Sequence, residues 1–315
     1  VMKRTAQRPL PTGRLDRRDA RDFGIALSGA SVLVMGLAVH WLAAAVLALS
    51  ALVGATALAL FFRRLRRSAH PMIDLTLFRD PRFSGGVIGA VVSAAALLGV
   101  QLVITQRLQL VQGLSPLQAG LFVLPIPLAA FVAGPVAGMM LGRIGAGRLL
   151  AWSLAASGAG ILAYGAGFGH SAVELASFAV MGAGIGAAMT AASSAIMLNA
   201  PADRAGMAAS VEEVSYELGG ALGIAILGSL MAGIYSASFA AAGGSGPEAT
   251  DSLDGALALA ATLPAPQADR LLDIANAAFD RATGAVALAA GVAALAAAFW
   301  IGRINRAGTA VQQGA

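Results

Sequence analysis

The feature that most constrains this 315-residue chain is a series of long apolar runs joined by short polar loops. A helix that crosses a bilayer needs about 20 such residues. Runs of that kind predict spans at 22–40, 42–62, 83–105, 117–140, 148–168, 172–198, 207–234 and 283–302. Inside lipid, a continuous apolar segment satisfies its own backbone only as a helix. The expected class is therefore an all-α membrane protein with about eight transmembrane helices. Composition agrees: 58% of residues are hydrophobic and 12% are charged, against about 25% charged in soluble domains. The absence of Cys excludes disulfides, thiolate metal sites and Cys nucleophiles. The stretch Val1–Arg21 is basic and polar, and no cleavage-site pattern follows it. The chain does not begin with Met, so it is expected to start inside a longer protein.

Basic residues orient the spans. With 1–21 on the cytoplasmic side, alternation leaves only Arg107, Arg270 and Arg281 of the 21 Lys and Arg residues outside. This follows the positive-inside rule. The expected organisation is a cytoplasmic basic segment (1–21), two transmembrane helices (22–62), a cytoplasmic loop (63–82), a six-helix bundle (83–302) and a cytoplasmic tail (303–315). The pI of about 10.6 is then a topology signal. Nucleic acid is excluded as a partner, because the charges lie in separate short loops rather than on one face. The loop 236–280 is expected outside the membrane and begins with Gly243, Gly244, Ser245, Gly246 and Pro247. Its later half sets Leu271, Leu272, Ile274 and Ala278 against Asp269, Arg270, Asp273 and Asp280, an amphipathic pattern. It reads as a surface helix over the bundle or as a gate over an exit route.

Three acids stand inside an expected span: Glu212, Glu213 and Glu217. A carboxylate in hydrocarbon is costly, so such groups usually face a cavity or a partner and are functional. Glu213 and Glu217 are four apart and share a helix face; Glu212 points about 100° away, with Tyr216 on its own face. Counted from Gly206, Glu217 lies roughly 16 Å deep, near mid-membrane. Two like charges in low dielectric raise each other's proton affinity, so the pair suits exchange of a proton for a cation. The bland alternatives are a polar partner on another helix or a place at the water boundary. Arg148 at the very start of 148–168 aside, no other expected span carries a basic residue to act as that partner.

The fourth span holds Pro125, Pro127 and Pro135, each of which removes a backbone hydrogen bond. Gly134 and Gly138 are four apart, which makes a close-packing face. These read as packing or as a hinge. Gly182, Gly184 and Gly186 lie in an apolar run without βαβ context, so a dinucleotide site is excluded. No Walker A loop or catalytic constellation occurs, and His40, His70 and His170 are isolated. The chain is not expected to be an enzyme. Arg143 and Arg148 frame a tight basic turn.

The segments HPMIDLTLFRDPRFSGG (70–86), LQLVQGLSPLQAGLFVLP (108–125) and PADRAGMAASVEEVSYELGGALGIAILGS (201–229) carry a family likeness. The chain resembles the major facilitator superfamily, in particular the fourteen-span drug:proton antiporters of the EmrB/QacA type. The Glu pattern followed by Gly219, Gly220 and Gly223 looks like the family's penultimate helix. The likeness covers about residues 12 to 305 and the last eight spans: two linker helices, then the C-terminal six-helix bundle. The turn at 142–148 looks like a degenerate echo of the superfamily's G-x-L-a-D-R-x-G-R loop, lacking its acid.

The resemblance implies proton-coupled efflux of lipophilic, cationic drugs from a bacterial inner membrane. It implies no cofactor beyond the proton gradient. Glu213 and Glu217 would be the proton and cation groups, with Glu212 and Tyr216 beside them. Pro125, Gly134, Pro135, Gly138, Arg143, Gly219, Gly220 and Gly223 would serve packing and conformational change. The partners would be lipid, protons, the cationic cargo and the missing N-terminal six-helix half. An exporter of a metabolite, sugar or amino acid on the same fold, or a non-transporting fragment, are the alternatives.

Overall fold

A computed structural model describes residues 49–50, 52–57, 59–60, 63–64 and 75–313, with side chains described from residue 76 to 305 in the larger part. The chain divides into two units, Val1–Met72 and Ile73–Ala315. In the first unit the described residues are helical throughout. The expected span 22–40, the segment 1–21, His40 and His70 lie outside the described residues.

The second unit is built from helices. A 3-10 turn at Leu75–Arg79 leads into α1 (Pro81–Gln106), which continues as a π-helical turn at Arg107–Val111. Asp80 caps α1 by accepting from the Arg82 amide at 2.7 Å, and Pro81 occupies the first turn, where no amide is needed. Next comes α2 (Pro116–Val123), opened by a capping box of Ser115 and Gln118. Leu124 separates it from α3 (Pro125–Ile144), because Pro125 and Pro127 remove the amides a continuous ladder requires. Gly145, at φ +84°, turns the chain into α4 (Ala146–Ala166). Then follow α5 (Ser171–Leu198), α6 (Ala205–Ala241), the short α7 (Pro247–Asp251) and α8 (Leu253–Ala260), and α9 (Ala265–Gln313).

Six stretches among the described residues are long and apolar enough to cross a membrane: Pro81–Val111, Pro116–Ile144, Ala146–Ala166, Ser171–Leu198, Ala202–Ala241 and Ala265–Asn305. The expected loop 236–280 differs from what is observed. α6 runs on to Ala241, and the amphipathic stretch is the first part of α9 rather than a separate surface helix. The reason is packing: Leu271, Ala275, Phe279, Ala282, Val286, Ala290, Ala294, Ala298 and Ile301 form one buried stripe with helical spacing. No Pro or Gly interrupts it before Gly284. At 1.5 Å per residue, α9 is roughly 74 Å long, more than twice the hydrocarbon thickness.

In chain order the six long helices fall into two triples, α1–α3–α4 and α5–α6–α9. α1 and α5 pack together at the centre, and α4 and α9 pack behind them. Each middle helix crosses to the first helix of the other triple: α3 lies on α5, and α6 lies on α1. Four-spaced glycines make both crossings close. A Cβ on Gly182 or Gly186 would strike the α3 backbone at Ile126 or Ala130; one on Gly219 or Gly223 would strike the α1 backbone at Val91 or Ala95. α3 and α6 are thereby the flanks. Only 17% of the apolar window of the Pro116–Ile144 span and 33% of that of Ala202–Ala241 are buried, against 44–56% in the other four.

One end of the bundle carries Arg82, Arg143, Arg148, Arg204 and Arg303, and is called here the Arg-rich end. The opposite end carries Arg107, Glu174 and Asp280.

Candidate functional site

α6 buries Val211, Ser215, Gly219, Gly223, Leu227, Met231, Tyr235 and Phe239, a strict four-residue repeat. Glu213 and Glu217 are each two residues from neighbouring members of this stripe, about 200° around the helix. They therefore point away from α1, and both are exposed. Glu212 and Tyr216 face a different way and are half-buried. The Tyr216 hydroxyl donates to the Met189 carbonyl of α5 at 3.0 Å. The four residues thus divide into two faces: Glu212 and Tyr216 toward α5, Glu213 and Glu217 toward the open flank. No Lys or Arg forms a salt bridge with any of the three acids among the described residues.

Gly219 abuts Val91, which is ten residues into α1. Along α6, counted from Ala205 at the Arg-rich end, Glu217 lies about 18 Å in and Glu213 about 12 Å in. Because α6 extends to Ala241, its midpoint falls near Gly223 and not at Glu217.

The remaining expected residues take varied places. Gly219 and Gly223 meet the α1 backbone, and Gly220 meets the Leu98 side chain. Gly134 faces the Thr190 hydroxyl of α5, with 3.4 Å to a built Cβ, while Gly138 has open space. Pro125 starts α3 and Pro135 lies within it. Arg143 is exposed in the last turn of α3, where a cation opposes the C-terminal partial charge. Arg148 is exposed in the first turn of α4 and, with Arg82, Asn199 and Asn305, lines a cavity of about 360 Å³ at this end.

A second cluster, at the opposite end, is one the sequence reading missed. Arg107 is 4% exposed. Its Nη1 lies 3.3 Å from Glu174 Oε1 and its Nε lies 2.7 Å from Asp280 Oδ1. Its guanidinium carbon sits 4.6 Å from the Phe168 ring centre. The expected spans end at 105 and leave Arg107 in the following loop. The corrected picture is that α1 continues through Arg107 as a π turn, so the cation belongs to a membrane helix. A usable signal was present: nothing in Ile104–Gln112 breaks a helix before Gly113.

No protein-family model matches the chain. Individual proteins do. The multidrug efflux pump LfrA of Mycolicibacterium smegmatis is 38% identical over 257 residues, 79% of this chain and 51% of the relative. The methyl viologen resistance protein SmvA of Salmonella typhimurium is 35% identical over 246 residues, 74% of this chain and 48% of the relative. The tetracenomycin C resistance and export protein of Streptomyces glaucescens is 31% identical over 271 residues, 82% of this chain and 49% of the relative. The fold and these similarities define a helical membrane protein related to drug efflux and resistance proteins. The chain belongs to the drug:proton antiporter family of the major facilitator superfamily. It spans about half the length of the curated relatives it matches.

Proposed function

We propose that this chain is the C-terminal part of a proton-coupled multidrug exporter of a bacterial inner membrane, carrying lipophilic cations outward in exchange for protons. The observation that carries the reading is the pair Glu213 and Glu217: exposed carboxylates that form no salt bridge among the described residues, about 12 Å and 18 Å along a membrane helix from its Arg-rich start. Facing lipid, two such charges would be costly. The open flanks of α3 and α6 instead suit contact with the other half of a transporter, leaving a wet cleft between the halves. In that cleft a cation about 4 Å from one carboxylate gains roughly 1–4 kcal/mol, depending on how much water remains. Protonation removes that attraction and releases the cation. Glu212 and Tyr216 form the inner edge of the same cleft, and the Tyr216 ring offers a π face to a cation.

The cargo reading draws on SmvA, which is named for resistance to methyl viologen, a dication. Carboxylates and a cationic drug favour this cargo over a sugar or an amino acid. The Arg-rich end is assigned to the cytoplasm by the positive-inside rule, which puts the C-terminus there as well. Close packing at Gly219, Gly220 and Gly223 holds α6 rigidly to α1, so the half moves as a body when the halves rock. No cofactor enters the cycle.

The test is dye efflux driven by a pH gradient in everted vesicles containing the whole protein. Glu213→Gln with Glu217→Gln is expected to abolish it while the protein remains in the membrane at wild-type level. Undiminished efflux with both carboxylates replaced ends the proposed role.

A further inference from the structure

The cluster at the end opposite the acids of α6 joins four pieces of chain. Arg107 comes from the π turn after α1, Glu174 from the first turn of α5, Asp280 from α9, and Phe168 from the turn between α4 and α5. The π turn closes through Gln112, whose amide donates to the Arg107 carbonyl at 3.2 Å. Gly113, at φ +66°, follows and ends the helix. Glu174 is 2% exposed and also accepts from the Gly169 amide at 3.4 Å. The Asp280 side chain is 37% exposed. One limb of the cluster is therefore dry and the other is wetted.

A buried ionic cluster is weak evidence for stability, because apolar residues of similar volume often replace one without loss. What the ionic version supplies, and an apolar one lacks, is direction. The guanidinium is a rigid planar fork, and two carboxylates can meet it only from set positions. Those positions belong to α5 and α9, and the fork belongs to α1. α1 and α5 pack together at the centre of the bundle, so the cluster fixes the distance between their ends on this side.

We propose that Arg107 is a positioning residue for transport: through Glu174 and Asp280 it sets the spacing of α1, α5 and α9 at the end opposite the α6 acids, and that spacing governs turnover. The inference rests on the transport reading above. Arg107 touches no cargo in this scheme. It acts through the helices it joins, and the wetted Asp280 limb is the half that water can replace as that spacing changes.

The experiment uses the whole protein in proteoliposomes, with tetraphenylphosphonium as cargo and an imposed pH gradient. The triple variant Arg107→Met, Glu174→Leu, Asp280→Leu replaces the cluster by apolar side chains. It is expected to unfold at the wild-type temperature, yet to turn over about tenfold more slowly with KM changed less than about twofold. A triple variant with wild-type stability and wild-type turnover overturns the proposal. Should the triple variant fail to fold, Asp280→Asn is read instead, with Asp280→Glu expected to recover turnover and equal turnover in all three overturning the proposal.

A second readout needs no transport. Spin labels at Gln112→Cys and Asp273→Cys, both exposed positions in a chain without native Cys, report the distance between α1 and α9 in nanodiscs. The wild-type distribution is expected to be narrow and that of Asp280→Asn broad. Equally narrow distributions overturn the clamp. A broad one in protein that moves no cation places the failure in the transport reading instead.

Discussion

Gly223 is the most demanding position in the contact between α6 and α1. A Cβ built there would overlap the Ala95 carbonyl oxygen and stand 2.6 Å from Ala95 Cα and 2.8 Å from its carbonyl carbon. Carbon atoms in contact sit about 3.5–4.0 Å apart, so Gly223→Ala must drive the two backbones about 1 Å apart. The obstacle is backbone, and no side chain can swing aside. Overpacking of this kind costs about 1–3 kcal/mol. Alanine returns about 0.8–1.0 kcal/mol of helix propensity. The net expectation for Gly223→Ala runs from near neutral to a loss of about 2 kcal/mol. Gly233, on the same helix, has nothing within 4 Å of a built Cβ, so Gly233→Ala is expected to gain up to about 1 kcal/mol. Subtracting propensity, the two variants should differ by about 1–3 kcal/mol. Unfolding titrations with sodium dodecyl sulfate on the purified protein measure that difference directly. If Gly223→Ala proves as stable as Gly233→Ala, the close crossing of α6 over α1 is refuted.

Three further outcomes follow from single side chains. Phe178 is fully buried between the rings of Phe122 and Tyr164, at 6.1 Å and 5.2 Å between ring centres; Phe178→Ala should lower unfolding free energy by about 3 kcal/mol in the same titration. Ser115→Ala removes the hydroxyl that accepts from the Gln118 amide at 3.3 Å, so that amide should exchange with solvent severalfold faster, matching about 1 kcal/mol of cap energy. Tyr216→Phe deletes the donor to the Met189 carbonyl and should cost about 0.5–1.5 kcal/mol, read as an earlier unfolding midpoint. A Tyr216→Phe variant as stable as the parent would argue against contact between α6 and α5 at that level.

Much of the helical frame was legible in the residues. The spans expected at 148–168 and 172–198 correspond to α4 at Ala146–Ala166 and α5 at Ser171–Leu198. Here Gly145 and the turn at Gly167–His170 interrupt the apolar runs sharply. The break before Pro125 was visible as a proline cluster. Legibility failed where apolar and amphipathic stretches share one helix. The charges of Asp269–Asp280 ended the hydropathy window, yet the Leu271, Ala275, Phe279, Ala282 stripe passes through them unbroken. Arg107 was lost in the same way, because a single cation closes an apolar window even where the backbone continues as helix.

The acids show the limit most clearly. Their presence on a membrane helix, their spacing and their relation to Tyr216 follow from the order of residues alone. So does membrane residence, because the cost of placing a segment in lipid is a sum over that segment's own residues. Which way Glu213 and Glu217 point is not such a sum. It depends on where Gly219 and Gly223 find the α1 backbone, and a four-residue contact repeat on a 3.6-residue helix swings the buried face by about 40° at each step. The ion cluster of Arg107, Glu174 and Asp280 likewise joins residues 67 and 173 positions apart in the chain. Only the packing of three helices brings those charges within reach of one another.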